Sequence, residues 1–160
     1  MTIDTLKDAS GHLNKEAIKK IIPYGDNFLF LDQVTLLEKK RILATKKADL
    51  NQFEGHFADF PIMPGALVIE GMGQAATLLL RYNLANHETK DILAHKIKEA
   101  KFSLPTFPGD ELTFDVQMVG MDERGALMQG VALLRGQKAV ECTMMLAIVD
   151  KAQFRGKHAK

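Results

Sequence analysis

Four strand-like runs follow one another in the second half of the chain, and the breaks between them are too short to hold a helix. The breaks fall at Pro105/Pro108-Gly109, Asp122–Gly125 and Gly136-Gln137, and the runs are ILAHKIKEAKF, ELTFDVQMV, ALMQGVALLRG and KAVECTMMLAIVD. Neighbouring parallel strands need a crossover of about a dozen residues or more, whereas short breaks suit antiparallel hairpins. The second half of the chain therefore predicts a largely antiparallel sheet.

The first half adds one long helix to this sheet. Pro64-Gly65 leads into a helical segment, ALVIEGMGQAATLLLRYNLAN, and Asn14 is a plausible N-cap for a short helix, KEAIKKII. Between them, FLFLDQVTLLE and RILATKKADL indicate two strands around a turn at residues 38–40. The 160 residues suit one domain, so we expect a single α+β domain over 1–160.

Composition excludes several classes of protein. The formal net charge is +1, which gives no global case for nucleic-acid binding. No apolar run approaches the roughly 18–20 residues that span a bilayer, and the polar N-terminus does not resemble a signal peptide. The single cysteine, Cys142, fits a buried strand position. We expect a cytoplasmic protein without membrane contact, ending in a frayed basic tail over 151–160.

The segment GMGQAA inside the long helix allows a second interpretation. Gly71, Gly73 and Ala76 fit the G-x-G-x-x-A fingerprint of a dinucleotide-binding loop, and Asp91 follows at a suitable distance. However, a dinucleotide-binding loop needs a buried strand directly before Gly71, and the segment that begins at Gly65 leaves too little room for one. No strand–helix–strand pattern follows either. We therefore favour a helix interior, with glycines that admit the close approach of another backbone.

Four polar residues form a stripe on this helix. Glu70, Gln74, Thr77 and Arg81 fall within roughly 60° of one another at helical spacing. By spacing alone the stripe fits the solvent-facing edge of an amphipathic helix. Alternatively, a carboxyl group on an otherwise apolar segment is desolvated, which suits it to donate a proton.

Two neighbouring residues complete a possible acid–base site. His56 is a candidate base because imidazole titrates near neutral pH, although a single loop histidine is often structural. The N–H of Gly65, at the start of the helix, is an unpaired donor that a carbonyl oxygen can approach closely. A base, an acid and an oxyanion donor are what proton abstraction beside a carbonyl requires, with loss of a β-hydroxyl.

The segment GHFADFPIMPGALVIEGMGQA resembles the signature of the β-hydroxyacyl-acyl carrier protein dehydratases of bacterial fatty acid synthesis. Three further segments, IIPYGDNFLFLDQV, KIKEAKFSLPTFPGDEL and GVALLRGQKAVECTMMLAIV, resemble motifs of the same family in the same order. The resemblance implies the hot-dog fold, in which an antiparallel sheet wraps one long central helix.

The resemblance also implies roles for individual residues. His56 and Glu70 match the catalytic pair, Gly65 the donor to the thioester carbonyl, and Gln74 the residue that orients the carboxylate. Glutamate at position 70 resembles the branch that dehydrates without isomerising the product. In this family the histidine and the carboxylate of one site come from different subunits, which implies a homodimer, sometimes assembled into a trimer of dimers.

The implied substrate is a 3-hydroxyacyl chain on the phosphopantetheine arm of acyl carrier protein, converted to a trans-2-enoyl thioester without metal or redox cofactor. The carrier is acidic, so Lys96, Lys98 and Lys101, which alternate along one strand, are candidates for its docking surface or an ordinary solvated face. Ala58 and Asp59 replace the family's Pro-Gly after the histidine, which suggests a specialised member serving a polyene or another secondary lipid. A hot-dog acyl thioesterase and a non-catalytic acyl-binding subunit remain alternatives.

Overall fold

The long central helix is the element around which the chain is organised. In a computed structural model that describes residues 2–159, helix α2 spans Gly65–Tyr82. Two shorter helices accompany it, α1 at Lys15–Ile21 and α3 at Lys151–His158. The Asn14 side chain accepts a hydrogen bond from the Ala17 N–H at 2.9 Å, which confirms the predicted N-cap of α1.

Seven antiparallel strands form one sheet in the order β1-β2-β3-β5-β6-β7-β4. Their bounds are Leu13–Asn14 for β1, Gln33–Leu37 for β2, Arg41–Lys47 for β3, Lys90–Phe102 for β4, Glu111–Met121 for β5, Gly125–Leu134 for β6 and Gln137–Asp150 for β7. An antiparallel sheet around one long helix confirms the predicted α+β hot-dog fold.

The alternation of buried and exposed residues along the strands shows which face of the sheet packs on α2. In β6 and in residues 140–146 of β7, the even-numbered residues, such as Met128 and Met144, are buried, and the odd-numbered residues between them are more exposed. The buried face packs against the apolar residues of α2, including Met72 and Leu79. The sheet thus has an inner face toward the helix and an outer face toward solvent.

The break between β4 and β5 corrects one prediction. Strand β4 pairs only with β7 among the described residues, and β5 pairs with β3 and β6, so no hairpin joins β4 to β5. Residues 103–110 cross two intervening strands, about 14 Å at a strand spacing of ~4.8 Å, which eight extended residues can span. On the way, the Thr106 carbonyl accepts a hydrogen bond from the Met63 N–H at 2.8 Å, just before α2 begins.

Two further expectations differ from the structure. Only Gln33–Leu37 of the run FLFLDQVTLLE is a strand, because the chain forms a short 3-10 helix at Asp26–Phe28 before it enters the sheet. The tail predicted to be frayed instead forms α3, although Lys160 lies outside the described residues. The Asp150 side chain accepts a hydrogen bond from the Gln153 N–H, so this helix has an N-cap that its basic composition concealed.

The two glycines of the GMGQAA segment have different surroundings within α2. A Cβ atom on Gly71 would lie 2.4 Å from the Phe114 ring of β5, so a side chain rather than a backbone makes the close approach. A Cβ atom on Gly73 would meet only the Met144 sulfur, at 4.0 Å. Packing therefore requires glycine at position 71 but not at position 73.

We expect Gly71→Ala and Gly73→Ala to change stability in opposite directions. Gly71→Ala forces Phe114 to move within a packed core and should lower the free energy of unfolding by about 1–3 kcal/mol. Gly73→Ala is the matched control and should raise it by up to about 1 kcal/mol through helix propensity. Denaturant titrations of both variants at one protein concentration provide the measurement. Equal effects of the two substitutions would contradict this account of the packing.

Candidate active site

The loop before α2 fixes the orientation of His56. The His56 carbonyl accepts a hydrogen bond from the Ile62 N–H at 2.7 Å, and His56 Nδ1 lies 2.8 Å from the Ile62 carbonyl oxygen. A carbonyl can only accept, so Nδ1 carries the proton in this contact and Nε2 is left as the basic nitrogen of the neutral ring. The half-buried imidazole also stacks on Phe57, with ring centroids 4.4 Å apart.

The two substitutions after the histidine lie in an exposed turn. The Phe57 N–H donates to the Phe60 carbonyl at 3.3 Å, which closes the turn over Ala58 and Asp59. Both residues are exposed, and the bonds that hold the His56 ring come from Ile62 instead. Ala58 and Asp59, which replace the family's Pro-Gly, therefore do not affect the hydrogen bond that holds the imidazole ring.

Gly65 is the first residue of α2 and lines a cavity of about 330 Å³. Its N–H belongs to the first helical turn, where no intrahelical acceptor exists, and it carries the positive end of the helix dipole. A Cβ atom at this position would lie 2.5 Å from the exposed Phe102 ring, so any side chain here would force that ring to move. Ile62, whose carbonyl holds His56, lines the same cavity.

Glu70 and Gln74 form a hydrogen-bonded pair one turn apart on α2. Gln74 Nε2 donates to Glu70 Oε1 at 2.9 Å and to the Phe28 carbonyl at 2.9 Å, and Gln74 Oε1 accepts from the Phe30 N–H at 2.8 Å. Burial raises the pKa of the Glu70 carboxyl group, and the hydrogen bond from Gln74 partly opposes this increase. Glu70 is thus a carboxylic acid that retains its proton to a higher pH than usual.

The polar stripe on α2 is not a solvent-facing edge. Gln74, Thr77 and Arg81 are buried, with exposed fractions of 0%, 6% and 5%. The Arg81 guanidinium donates to the carbonyl of His87 at 2.6 Å and to that of Lys90 at 2.9 Å, so it fixes the chain where β4 begins. Arg81 therefore stabilises the fold, whereas Glu70 and Gln74 form the carboxyl pair.

Within one chain, His56 and Glu70 form no hydrogen bond with each other among residues 2–159, and neither lines the cavity beside Gly65. His56 and Gly65 lie at the two ends of the short Ile62–Pro64 segment, whereas Glu70 faces the Phe28–Phe30 segment. Glu70 is therefore nearer to Gly65 in the sequence than His56 is, yet its carboxyl group is held beside the Phe28–Phe30 segment by Gln74, while the His56 ring is held by Ile62.

Lys96, Lys98 and Lys101 share the outer face of β4. They pair across β7 with Met145, Thr143 and Glu141, which all point away from α2. A bulge between Lys98 and Lys101 keeps the third lysine on this face despite its odd spacing.

Two residues near the site were not predicted as functional. Tyr24 is largely buried, and desolvation raises the pKa of its phenol. The charge of Glu70 raises this pKa further, so Tyr24 lies near the Glu70 carboxyl group. Phe102 is 57% exposed and covers the start of α2. Each residue belongs to a segment that resembles a dehydratase motif, and this position in the motif is the sequence feature that could have identified it.

Residues 2–159 hold neither a metal-binding cluster nor a membrane-spanning helix. No group of three or more His, Cys, Asp or Glu residues could hold a metal ion in that part of the chain. None of its helices combines the length and the apolar character needed to cross a membrane.

The fold and the pair on α2 define a class, the hot-dog proteins with a carboxyl group on the central helix. The profile of the FabA-like domain matches residues 22–143, and the chain belongs to this family. A 3-hydroxyacyl-[acyl-carrier-protein] dehydratase of Solibacter usitatus is 33% identical over 143 residues, 88% of each chain. The enzyme of the same name from Neisseria meningitidis is 39% identical over 134 residues, 81% of this chain and 90% of its own.

Solved structures agree on the fold. The dehydratase heterocomplex ApeI:P from Xenorhabdus doucetiae is similar at a TM-score of 0.72, with 15% identity over 89% of this chain and 97% of that one. A thioesterase from Haemophilus influenzae follows at a TM-score of 0.62, with 14% identity over 78% and 81% of the two chains. At such identities the likeness establishes the hot-dog fold alone, because dehydratases and thioesterases share it.

We expect the Gln74 amide to be necessary both for the fold and for the acidity of Glu70. Gln74→Met leaves the buried Phe30 N–H and Phe28 carbonyl unpaired, which should lower the free energy of unfolding by about 2–4 kcal/mol. The pKa of Glu70 should also rise further, because the substitution removes the Gln74 hydrogen bond that lowers it. Denaturant titration and a carbon-13 NMR titration of the Glu70 carboxyl measure the two effects.

The control for this experiment is Gln129→Met, since Gln129 is exposed on β6. It should change neither quantity appreciably. An unchanged pKa of Glu70 in Gln74→Met would show that the amide does not tune the carboxyl.

Proposed function

We propose that this protein dehydrates 3-hydroxyacyl thioesters, carried by acyl carrier protein, to trans-2-enoyl thioesters in fatty acid or related lipid biosynthesis. The observation that carries the proposal is the orientation of His56, whose Nδ1–H is held by the carbonyl of Ile62, a residue that also lines the Gly65 cavity, so that Nε2 is left as the basic nitrogen of the neutral ring. The curated relatives that share this chain's fold and length carry the same activity in their names. A cytoplasmic location stays a prediction.

The reaction is a proton transfer at each end of the bond that becomes unsaturated. His56 Nε2 takes the α-proton, and the electrons of that C–H bond form the new carbon–carbon double bond. Negative charge that develops on the thioester oxygen is stabilised by the Gly65 N–H and by the dipole of α2. The C–O bond at the β-carbon breaks as Glu70 protonates the hydroxyl, which leaves as water.

The raised pKa of Glu70 suits this role. The carboxyl group must hold a proton at the start of the reaction, and burial favours its neutral form. After water leaves, His56 holds one proton too many and Glu70 one too few. Transfer of that proton restores both groups, so no external acid or base is consumed.

A second copy of the chain completes the site in this proposal. His56 and Glu70 are not in contact within one chain, and every residue of β4 from 94 to 102 is exposed on both faces of the sheet. Ile97 and Phe102 pair with inner-face residues of β7 but remain 47% and 57% exposed. An edge strand that pairs on one side only among the described residues, and that carries apolar inner-face residues, is suited to pair with its own copy in a twofold dimer.

We expect His56→Ala and Glu70→Gln each to reduce dehydration by about 10²–10⁴-fold, because each removes a group that moves a proton. Mass spectrometry of a 3-hydroxyacyl carrier after incubation should show loss of water without release of the carrier thiol. The matched controls are His12→Ala and Glu38→Gln, which lie outside the site and should keep full activity.

The product separates this function from its rivals. Release of the free carrier thiol would identify a thioesterase. Unchanged acyl carrier in the presence of tight binding would identify a non-catalytic subunit, and full activity of His56→Ala would refute the mechanism.

A further inference from the structure

Helix α3 lies outside the residues that match the FabA-like profile, yet it is held firmly against the sheet. The Arg155 guanidinium forms two hydrogen bonds with the Asp91 carboxylate of β4, at 2.8 and 3.0 Å. The Asp150 side chain caps the other end of the helix. A paired arginine fork and an N-cap together fix the position of an exposed short helix.

The C-terminal segment that contains α3 is basic, whereas the rest of the chain is acidic overall. Residues 151–160 contain four of the 21 Lys and Arg residues and none of the 20 Asp and Glu residues. The remaining 17 cations and 20 acids give residues 1–150 a formal net charge of −3. A basic element on an otherwise acidic chain favours an acidic partner.

The cations of α3 are available to such a partner. Lys151 and Lys157 form no ion pair among the described residues, whereas the two acids at the base of the helix are already neutralised. Asp91 pairs with Arg155, and Asp150 pairs with Lys90 at 3.5 Å. The charge of Lys151 contributes to the lowered pKa of Asp91 without forming an ion pair, and Lys157 has no such interaction with either acid that holds the helix.

Strand register places α3 on the same face as the lysines of β4. Asp91, which holds α3, pairs with Val149, and Lys96 pairs with Met145; both partners are outer-face residues of β7. The basic helix and the three lysines therefore form one line along the outer edge of the sheet. We call this line, residues 151–158 with Lys96, Lys98 and Lys101, the basic edge.

An apolar groove of about 600 Å³ adjoins the basic edge. Leu127 and Met145 line it, and they belong to the same cross-strand row as Lys96. His95, Arg124 and one acid, Asp122, also line it. A largely apolar groove beside the basic edge is suited to an acidic amphipathic helix, the kind of surface by which a small acidic protein docks.

We infer that α3 is a docking element for the acidic acyl carrier protein, added to the common dehydratase fold. The inference rests on the proposed function, which supplies the carrier. Twofold pairing of β4 edges is antiparallel, so α3 of one protomer lies toward the Phe102 end of β4 in its partner. In its own chain, α3 is separated from Phe102 by most of β4, about 40 Å for thirteen residues. The carrier that docks on α3 therefore delivers its acyl chain to the cavity of the other protomer.

The test compares two substrates with the same acyl chain, one on acyl carrier protein and one on the small thiol N-acetylcysteamine. Lys151→Glu and Lys157→Glu, alone and together, should lower kcat/KM for the carrier substrate relative to the small one, by about 3-fold each and about 10-fold together. The deficit should shrink as salt rises from about 0.05 to 0.5 M, because exposed charges are screened. Lys20→Glu, on the exposed side of α1 beyond the opposite edge of the sheet, is the matched control and should leave the ratio unchanged.

Direct binding separates failure of this inference from failure of the proposed function. Calorimetric titration with the acyl-free holo carrier requires no turnover, and the double variant should bind about 10-fold more weakly than the wild type. Unchanged carrier affinity and an unchanged substrate ratio in the α3 variants would overturn the docking role while leaving dehydration intact. Absence of dehydration with either substrate in the wild type would instead refute the proposed function, and the binding titration would still decide the role of α3.

Discussion

The Gln74 side chain is the contact on which both the fold and the candidate site depend. Its amide satisfies two backbone groups of the segment that leads into β2 and also donates to the Glu70 carboxyl. Because Gln74 is fully buried, each of these bonds replaces water that cannot reach the side chain. The same residue therefore attaches the N-terminal segment to the central helix and sets the position of the acid.

This arrangement explains why an apolar helix carries a buried polar stripe. Burial alone raises the pKa of Glu70, and the Gln74 amide limits that rise and fixes the rotamer of the carboxyl. Further along the helix, Arg81 binds the carbonyls of His87 and Lys90 and so directs the chain into β4, the exposed edge strand. The stripe links the acid at one end of α2 to the start of the strand through which a second copy would pair.

Much of this structure could be predicted from sequence, because local signals and periodicity specify it. The Asn14 cap, the helix start at Gly65 and the four long strands follow from patterns within a few residues. Interactions between distant segments were not predictable in this way. The crossing of residues 103–110, the Phe114 ring against Gly71 and the Arg155–Asp91 pair that orders α3 all join positions far apart in the chain.

The central claim is that one active site takes His56 from one protomer and Glu70 from the other. Mixing inactive His56→Ala with inactive Glu70→Gln, under conditions that let subunits exchange, tests it directly. If the site is shared, half of the dimers are mixed and each has one intact site, so dehydration should recover to about a quarter of the wild-type rate. If both groups act within one chain, every site in the mixture lacks one of them, and no recovery of activity would contradict the account.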